Sequence, residues 1–242
     1  MTDAEYIRMV EDRRAKEQVA LQTFPSVLYA VERRALTIGE VVHFAGVAIT
    51  ATRDGFIVDG EPSGPRIVEA GRYGLRLSHQ GYPAMVVLDR EATPREATLR
   101  WYPVDPALRV RGRIERDEKR IAIASTASPD RSAERAGWFV FERDGATLRL
   151  AVTRLLEPGA AADDLDIYFR DATTGDGSYE VGRYVTVERD GDAAIVDFNR
   201  AYNPSCSLSP YYNCPIPPPE NHLAIPILAG EMTPLVRDRP HH

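Results

Sequence analysis

Cysteine is nearly absent: the 242 residues carry two, Cys206 and Cys214, both in one short stretch. That excludes a disulfide framework of the kind that staples small secreted domains. A chain this long buries roughly 70–75% of its unfolded surface in its own core and needs no staple. No apolar run approaches the ~20 residues of a membrane span. Met1 to Ala15 alternates acidic and basic residues without an apolar stretch, which predicts a chain without a secretory leader, at work in the cytoplasm. Lysine is scarce and the arginines are scattered; 30 basic against 36 acidic residues give a net charge of -6. Nucleic-acid partners need clustered Lys and Arg, so neither nucleic acid nor membrane is expected.

Recognisable catalytic strings are missing as well. There is no Gly-x-Ser-x-Gly elbow, no His-Glu-x-x-His or His-x-x-Glu-His, no Walker A loop and no Gly-x-Gly-x-x-Gly. A Ser-His-Asp site would have to be assembled from distant residues, and no cofactor is implied. His43, His79 and His222 are the internal histidines; His241 and His242 read as a tag remnant outside any site.

What is present is β-forming. The chain opens on a helix, capped by Thr2 or Asp3, with Tyr6, Met9, Val10, Arg13 and Val19 as a rough 3.6-residue stripe and Phe24-Pro25 as its stop. Short strands then follow one another to about Leu156, punctuated by Asp-Gly hairpin signals at Asp54-Gly55, Asp59-Gly60 and Asp144-Gly145. Arg109 to Ile114 alternates cleanly, so one face should be wet. Ile167-Tyr168-Phe169, Tyr184 to Val187 and Ala194 to Phe198 read as further strands, the last two joined at Asp190-Gly191. Strand upon strand without helices predicts a mainly β fold, an antiparallel sandwich or partly open barrel with one N-terminal helix and a Pro-rich C-terminal loop cap. The expected division is a helix over 1–22, a β-rich body over 23–156 and a C-terminal cap over 157–240, packed as one unit with the body.

The stretch from Asp197 to Glu231 is unlike the rest. Six prolines fall between Asn203 and Pro219, which rules out regular helix or central strand. Tyr202, Tyr211 and Tyr212, with the two cysteines, argue for an ordered loop laid over a sheet end. This stretch, together with Tyr168-Phe169-Arg170-Asp171-Ala172-Thr173-Thr174-Gly175, Gly182-Arg183-Tyr184 and Trp101-Tyr102-Pro103-Val104-Asp105, resembles the bacterial family called domain of unknown function 1684. The resemblance covers roughly Ala84 to Glu231. It departs at the N-terminus, where Leu21 to Ala35 lacks the Trp-Leu-rich stretch usual in the family. It implies a fold and a motif, and no activity.

Two functional readings follow. In the first, a pocket under the loop binds a small polar or anionic organic molecule. Arg183, Asp171, Asn199, Tyr202, Asn203 and Tyr211 touch the ligand there, and Asp197, Glu231 and Tyr184 supply acid or base chemistry. In the second, the same polar groups only pin the loop, Arg183 pairing with Asp171, Asp197 or Glu231, and the chain is a structural or interaction module such as a homodimer. Cys206 and Cys214 are read as two buried thiols, a disulfide, or metal ligands completed by His222 or Asp197; no metal site is expected.

Overall fold

The computed structural model describes residues 1–127, 130–143, 145–161, 163–191 and 193–237. Helix α1 spans Asp3–Gln22. Its start is a capping box: the Thr2 amide donates to Glu5 Oε2 at 2.7 Å and the Glu5 amide to Thr2 Oγ1 at 3.3 Å. Tyr6, Val10 and Leu21 are its buried residues, whereas Met9 and Val19 of the expected stripe are exposed. The helix is held mainly by polar groups. Gln22 Nε2 donates to the Ala97 carbonyl at 2.7 Å, and Gln18 Oε1 accepts from the Leu99 amide at 2.8 Å.

Eight strands follow: β1 (Ala30–Ala35), β2 (Val41–Phe44), β3 (Val47–Ala51), β4 (Phe56–Val58), β5 (Glu61–Ser63), β6 (Arg66–Ala70), β7 (Tyr73–His79) and β8 (Pro83–Asp89). They form two four-stranded antiparallel sheets, β1-β8-β7-β6 and β2-β3-β4-β5. The sheets share one apolar core in which Ile49 and Phe56 meet Leu75, Leu77 and Met85. The Asp59-Gly60 signal is a tight turn between β4 and β5, both residues at positive φ (50° and 86°) as a type I′ hairpin demands.

After β9 (Glu96–Thr98) the chain builds β10 (Arg109–Glu115), β11 (Lys119–Ile123), β12 (Arg131–Arg143), β13 (Ala146–Leu155), β14 (Asp166–Phe169), β15 (Arg183–Asp190) and β16 (Ala193–Asp197). A last strand, β17 (Leu235–Arg237), pairs back with β9. Strands β10-β16-β15-β14-β13-β12 form a six-stranded antiparallel barrel, closed by a β10–β12 pairing, with β11 attached to β12. The expected partly open barrel is therefore closed. Its core is filled by Phe139, Phe141, Leu150, Val152, Ile167 and Val185 among others. The Asp190-Gly191 turn joins β15 to β16; of the Arg143 to Gly145 turn, Asp144 lies outside the described residues. Strand β10 shows the expected alternation, its exposed positions falling at Arg109, Arg111 and Arg113.

Closure is made at Gly112. Strand β10 pairs with β16 from Arg109 to Gly112 and with β12 from Arg113 to Glu115. A Cβ at Gly112 would sit 2.4 Å from the Val140 carbonyl oxygen and 2.7 Å from the Phe139 ring. Glycine is what lets the two strands approach. Gly112→Val should therefore lower stability by about 1–3 kcal/mol through overpacking. Urea unfolding tests this, and an unchanged midpoint would show that the seam has slack.

Candidate functional site

The tail beyond β16 has little regular structure, and backbone hydrogen bonds such as Ile216 to Ala124, Leu223 to Arg170 and Met232 to Arg100 tie it to the body. Three asparagines stand out, Asn203 bracing the tail on itself and Asn213 and Asn221 reaching the body. Asn203 Nδ2 donates to the Met232 carbonyl at 2.8 Å. Asn213, fully buried, accepts from the Ala127 amide at 2.6 Å and donates to the Gln80 carbonyl at 2.9 Å. Asn221, also fully buried, sits between β13 and β14, which share the single paired position Thr153–Asp166. Its Nδ2 donates to the carbonyls of Ala151 (3.0 Å) and Tyr168 (2.8 Å), and its Oδ1 accepts from the Ala151 amide at 2.6 Å. A primary amide carries a donor and an acceptor like a peptide group, so it can stand in for missing ladder rungs.

Arg183 is the second anchor. It opens β15, is 1% exposed, and its guanidinium lies near the rings of Tyr102 and Phe169. Nη2 donates to Asp171 Oδ2 at 3.2 Å and to the Ile227 carbonyl at 2.9 Å; Nη1 donates to the carbonyls of Ala229 and Glu231. Asp171 also accepts from the Ile227 amide at 2.6 Å and from the hydroxyls of Thr173 and Thr174. Burial lowers the arginine's pKa, and the Asp171 charge opposes that shift. Of the three carboxylates considered as partners for Arg183, Asp171 is the one it meets; with Glu231 it shares only the main-chain carbonyl.

Asp197 and Asn199 lie where β16 runs into a single 3-10 turn, Phe198–Arg200. Asp197 Oδ1 accepts from the Asn199 amide at 3.1 Å and from the Tyr6 hydroxyl of α1 at 2.7 Å. Asn199 Oδ1 accepts from the Asp105 amide and its Nδ2 donates to the Asp105 carbonyl, both at 2.8 Å. Burial and the adjacent Asp197 carboxylate raise the Tyr6 phenol above its ordinary pKa. The first residues of α1 are thus bolted to the end of the barrel.

Beside this bolt, α1 covers two small hollows of about 40 and 10 Å³ that share Arg13, Arg200 and Tyr202. Asp197 lines the larger one; Arg14, Trp101 and Glu231 line the smaller. Glu231 is positioned by Gly230, whose φ is +73° and where a Cβ would fall 2.6 Å from the carbonyl oxygens of Phe198 and Ala201. The Glu231 carboxylate is 8% exposed, and its Oε2 accepts from the Asn203 amide at 2.7 Å. Burial pushes its pKa up to about 7, against the lowering effect of that amide. Arg14 donates to the carbonyls of Tyr102 (2.9 Å) and Asn199 (3.3 Å), while its Nε is buried without a partner among the described residues.

The expected site residues therefore divide. Asp197, Asn199, Tyr202 and Glu231 come together under α1, and Asn203 supports Glu231 from behind. Tyr184 stacks edge-on between Tyr168 and Tyr202, and its hydroxyl donates to the Pro215 carbonyl. Tyr211 lies in a different apolar cluster, with Ala30, Val86 and Leu88 of β1 and β8. Arg183 and Asp171 are enclosed in the scaffold. Missed from the sequence were Tyr6, Arg13 and Arg14, because nothing in a helix's own periodicity says which distant segment its polar face meets. Among the described residues no three His, Cys, Asp or Glu side chains gather as a metal ion would need.

Fold and site together define a closed antiparallel barrel protein, capped by a proline-rich tail and covered at one end by a helix. The chain belongs to the family described as protein of unknown function (DUF1684), whose model matches residues 97–232. Among solved structures it is similar to an uncharacterized protein of Haloarcula marismortui determined by solution NMR. That similarity is 30% identity over 56% of this chain and 76% of the other, with a TM-score of 0.45. No curated protein matches the chain.

Removing one partner of a buried ion pair costs about 3–5 kcal/mol. Arg183→Ala is accordingly expected to lower stability by that amount in chemical denaturation. A variant that unfolds at the wild-type midpoint would take Arg183 out of the scaffold.

Proposed function

We propose that the chain binds a small organic molecule bearing a carboxylate or carbonyl oxygen in the cleft between α1 and the tail, with Glu231 as the group that exchanges a proton with it. The observation that carries this reading is the pairing of two donors. Arg14 keeps a buried Nε–H without an acceptor among the described residues. Glu231, lining the same hollow, holds a proton up to about pH 7. An acceptor oxygen on a ligand satisfies both, and a carboxyl titrating near neutrality is suited to general acid–base work. Arg13 and Arg200 add positive charge, balanced by their partners Glu17 (2.6 Å) and Glu188. Hollows of about 40 and 10 Å³ are water-sized, so an organic ligand requires the cleft to widen while Arg14 keeps facing Glu231.

The small volume of the hollows favours a second reading. In it the Asp, Asn and Arg network only pins the tail, and the chain works through its surface, as a homodimer or with another protein. Thermal-shift measurements with small carboxylates, keto acids and phosphate esters separate the two. A ligand at 100 times its dissociation constant adds about 2.7 kcal/mol to the folded state. A shift that Arg14→Ala abolishes supports the cleft; no shift with any compound leaves the second reading standing.

Glu231 also makes a prediction independent of ligand. Its pKa rises from 4.5 to about 7 on folding, so in that interval the native state holds a proton that the unfolded chain releases. Native stability should fall as pH rises from 4.5 through 7, by on the order of 3 kcal/mol. Glu231→Gln keeps the shape of the neutral acid and should flatten that slope in urea titrations across this range. An unaltered slope would mean that Glu231 is ionised throughout.

A further inference from the structure

The two cysteines stand apart from the α1 cleft and are not used by the proposed binding reaction. Both are free thiols, and both belong to the apolar cluster where the tail packs on β1 and β8. They share that cluster, and each is the largest influence on the other's ionisation. Cys206 sits in a one-turn 3-10 segment, Ser205–Ser207, and is half-buried; Cys214 is buried at 6% exposure. Two hydroxyls serve the Cys206 sulfur: Tyr179 donates to it at 3.9 Å, and Thr126 is a second hydrogen-bond partner. Thr126 also holds Cys214 by its backbone, accepting from the Cys214 amide at 3.0 Å and donating its own amide to the Cys214 carbonyl at 2.9 Å. One thiol is thus reachable and surrounded by donors, and the other is fixed behind it.

We propose that Cys206 and Cys214 form a redox-active dithiol that reduces low-molecular-weight disulfides, Cys206 attacking and Cys214 resolving. The Cys206 thiolate attacks one sulfur of the small disulfide. A sulfur–sulfur bond forms to Cys206, the original one breaks, and one thiolate leaves and takes a proton from water. The Cys214 thiol then gives up its proton, its sulfur attacks Cys206 Sγ, and the second small thiol departs. The protein dithiol loses two electrons and two protons, and the small disulfide becomes two thiols. A small-molecule thiol in excess runs the sequence backwards, so the pair is reset without another cofactor.

The charge distribution supports these roles. The hydrogen bond from Cys214 lowers the Cys206 thiol to about 7, so an appreciable fraction is thiolate at neutral pH. The same hydrogen bond raises Cys214, keeping it protonated until its partner has reacted.

The test uses the full chain, reduced and freed of reductant, mixed with oxidised glutathione and followed by intact mass and peptide mapping. Wild type should lose two hydrogens with no glutathione retained, and dithiothreitol should restore it. Cys214→Ser should stop with one glutathione on Cys206. Cys206→Ser should react at least about tenfold more slowly, having lost the low-pKa thiol. Iodoacetamide labelling of the unmutated protein against pH gives a readout that needs no variant: Cys206 should label with a midpoint near 7 while Cys214 stays unlabelled. A wild type that keeps both thiols, a glutathione adduct on wild type that never resolves, or equal labelling of the two cysteines would overturn the proposal.

Discussion

A single guanidinium organises the C-terminal half of the molecule. Arg183 faces the carbonyls of Ile227, Ala229 and Glu231 and the carboxylate of Asp171, and Asp171 in turn takes the Ile227 amide. Burying an arginine is expensive unless its donors are met, and here the tail's backbone carbonyls meet those of Nη1 and Nη2, while Nε has no partner among the described residues. The exchange works in both directions: the tail gains order it could not obtain from secondary structure, and the charge gains acceptors. Glu231 is placed by the far end of the same arrangement, so the position of its carboxylate depends on an ion pair remote from that carboxylate.

The tail also joins the two β bodies. On one side Tyr212 and Cys214 pack with Val86 and Leu88 of β8; on the other the Tyr184 hydroxyl and Asn221 tie it to the barrel. Every residue of β8 is buried, because one of its faces covers the meander of β2 to β5 and the other receives the tail. Helix α1 completes the assembly from outside with hydrogen bonds in place of a broad apolar face. That explains how carboxylates, arginines and a half-exposed tyrosine come to share a narrow space at the barrel end.

Local chemistry made the β architecture legible. Asp59-Gly60 needs positive φ at both residues and has it, and the alternation of Arg109 to Ile114 is a strand with one wet face. The ordered tail was legible because prolines forbid helix while the tyrosines call for burial. Closure of the barrel was not, since it rests on pairings such as Arg113 with Val140, whose separation in sequence leaves no periodic trace. For the candidate site, residues near one another in sequence were the easier part: Asn199, Tyr202 and Glu231 line one hollow, and Asp197 lines its neighbour with Tyr202. Tyr184 and Tyr211 carry the same side chain as Tyr202, yet they face other neighbours, and only the three-dimensional path of the tail separates them. Asn213 and Asn221 carried no signal of their own in the sequence, and they are buried surrogates for peptide groups.

Asn221 has a consequence for how the chain is made. Strands β13 and β14 share one paired position, and hydrogen bonds across that gap come from a side chain about fifty residues downstream of β14. On a ribosome the N-terminal sheets can assemble as they emerge, and most staves of the barrel can align soon afterwards. The hydrogen bonds that Asn221 supplies between β13 and β14 form only once this later segment has been made.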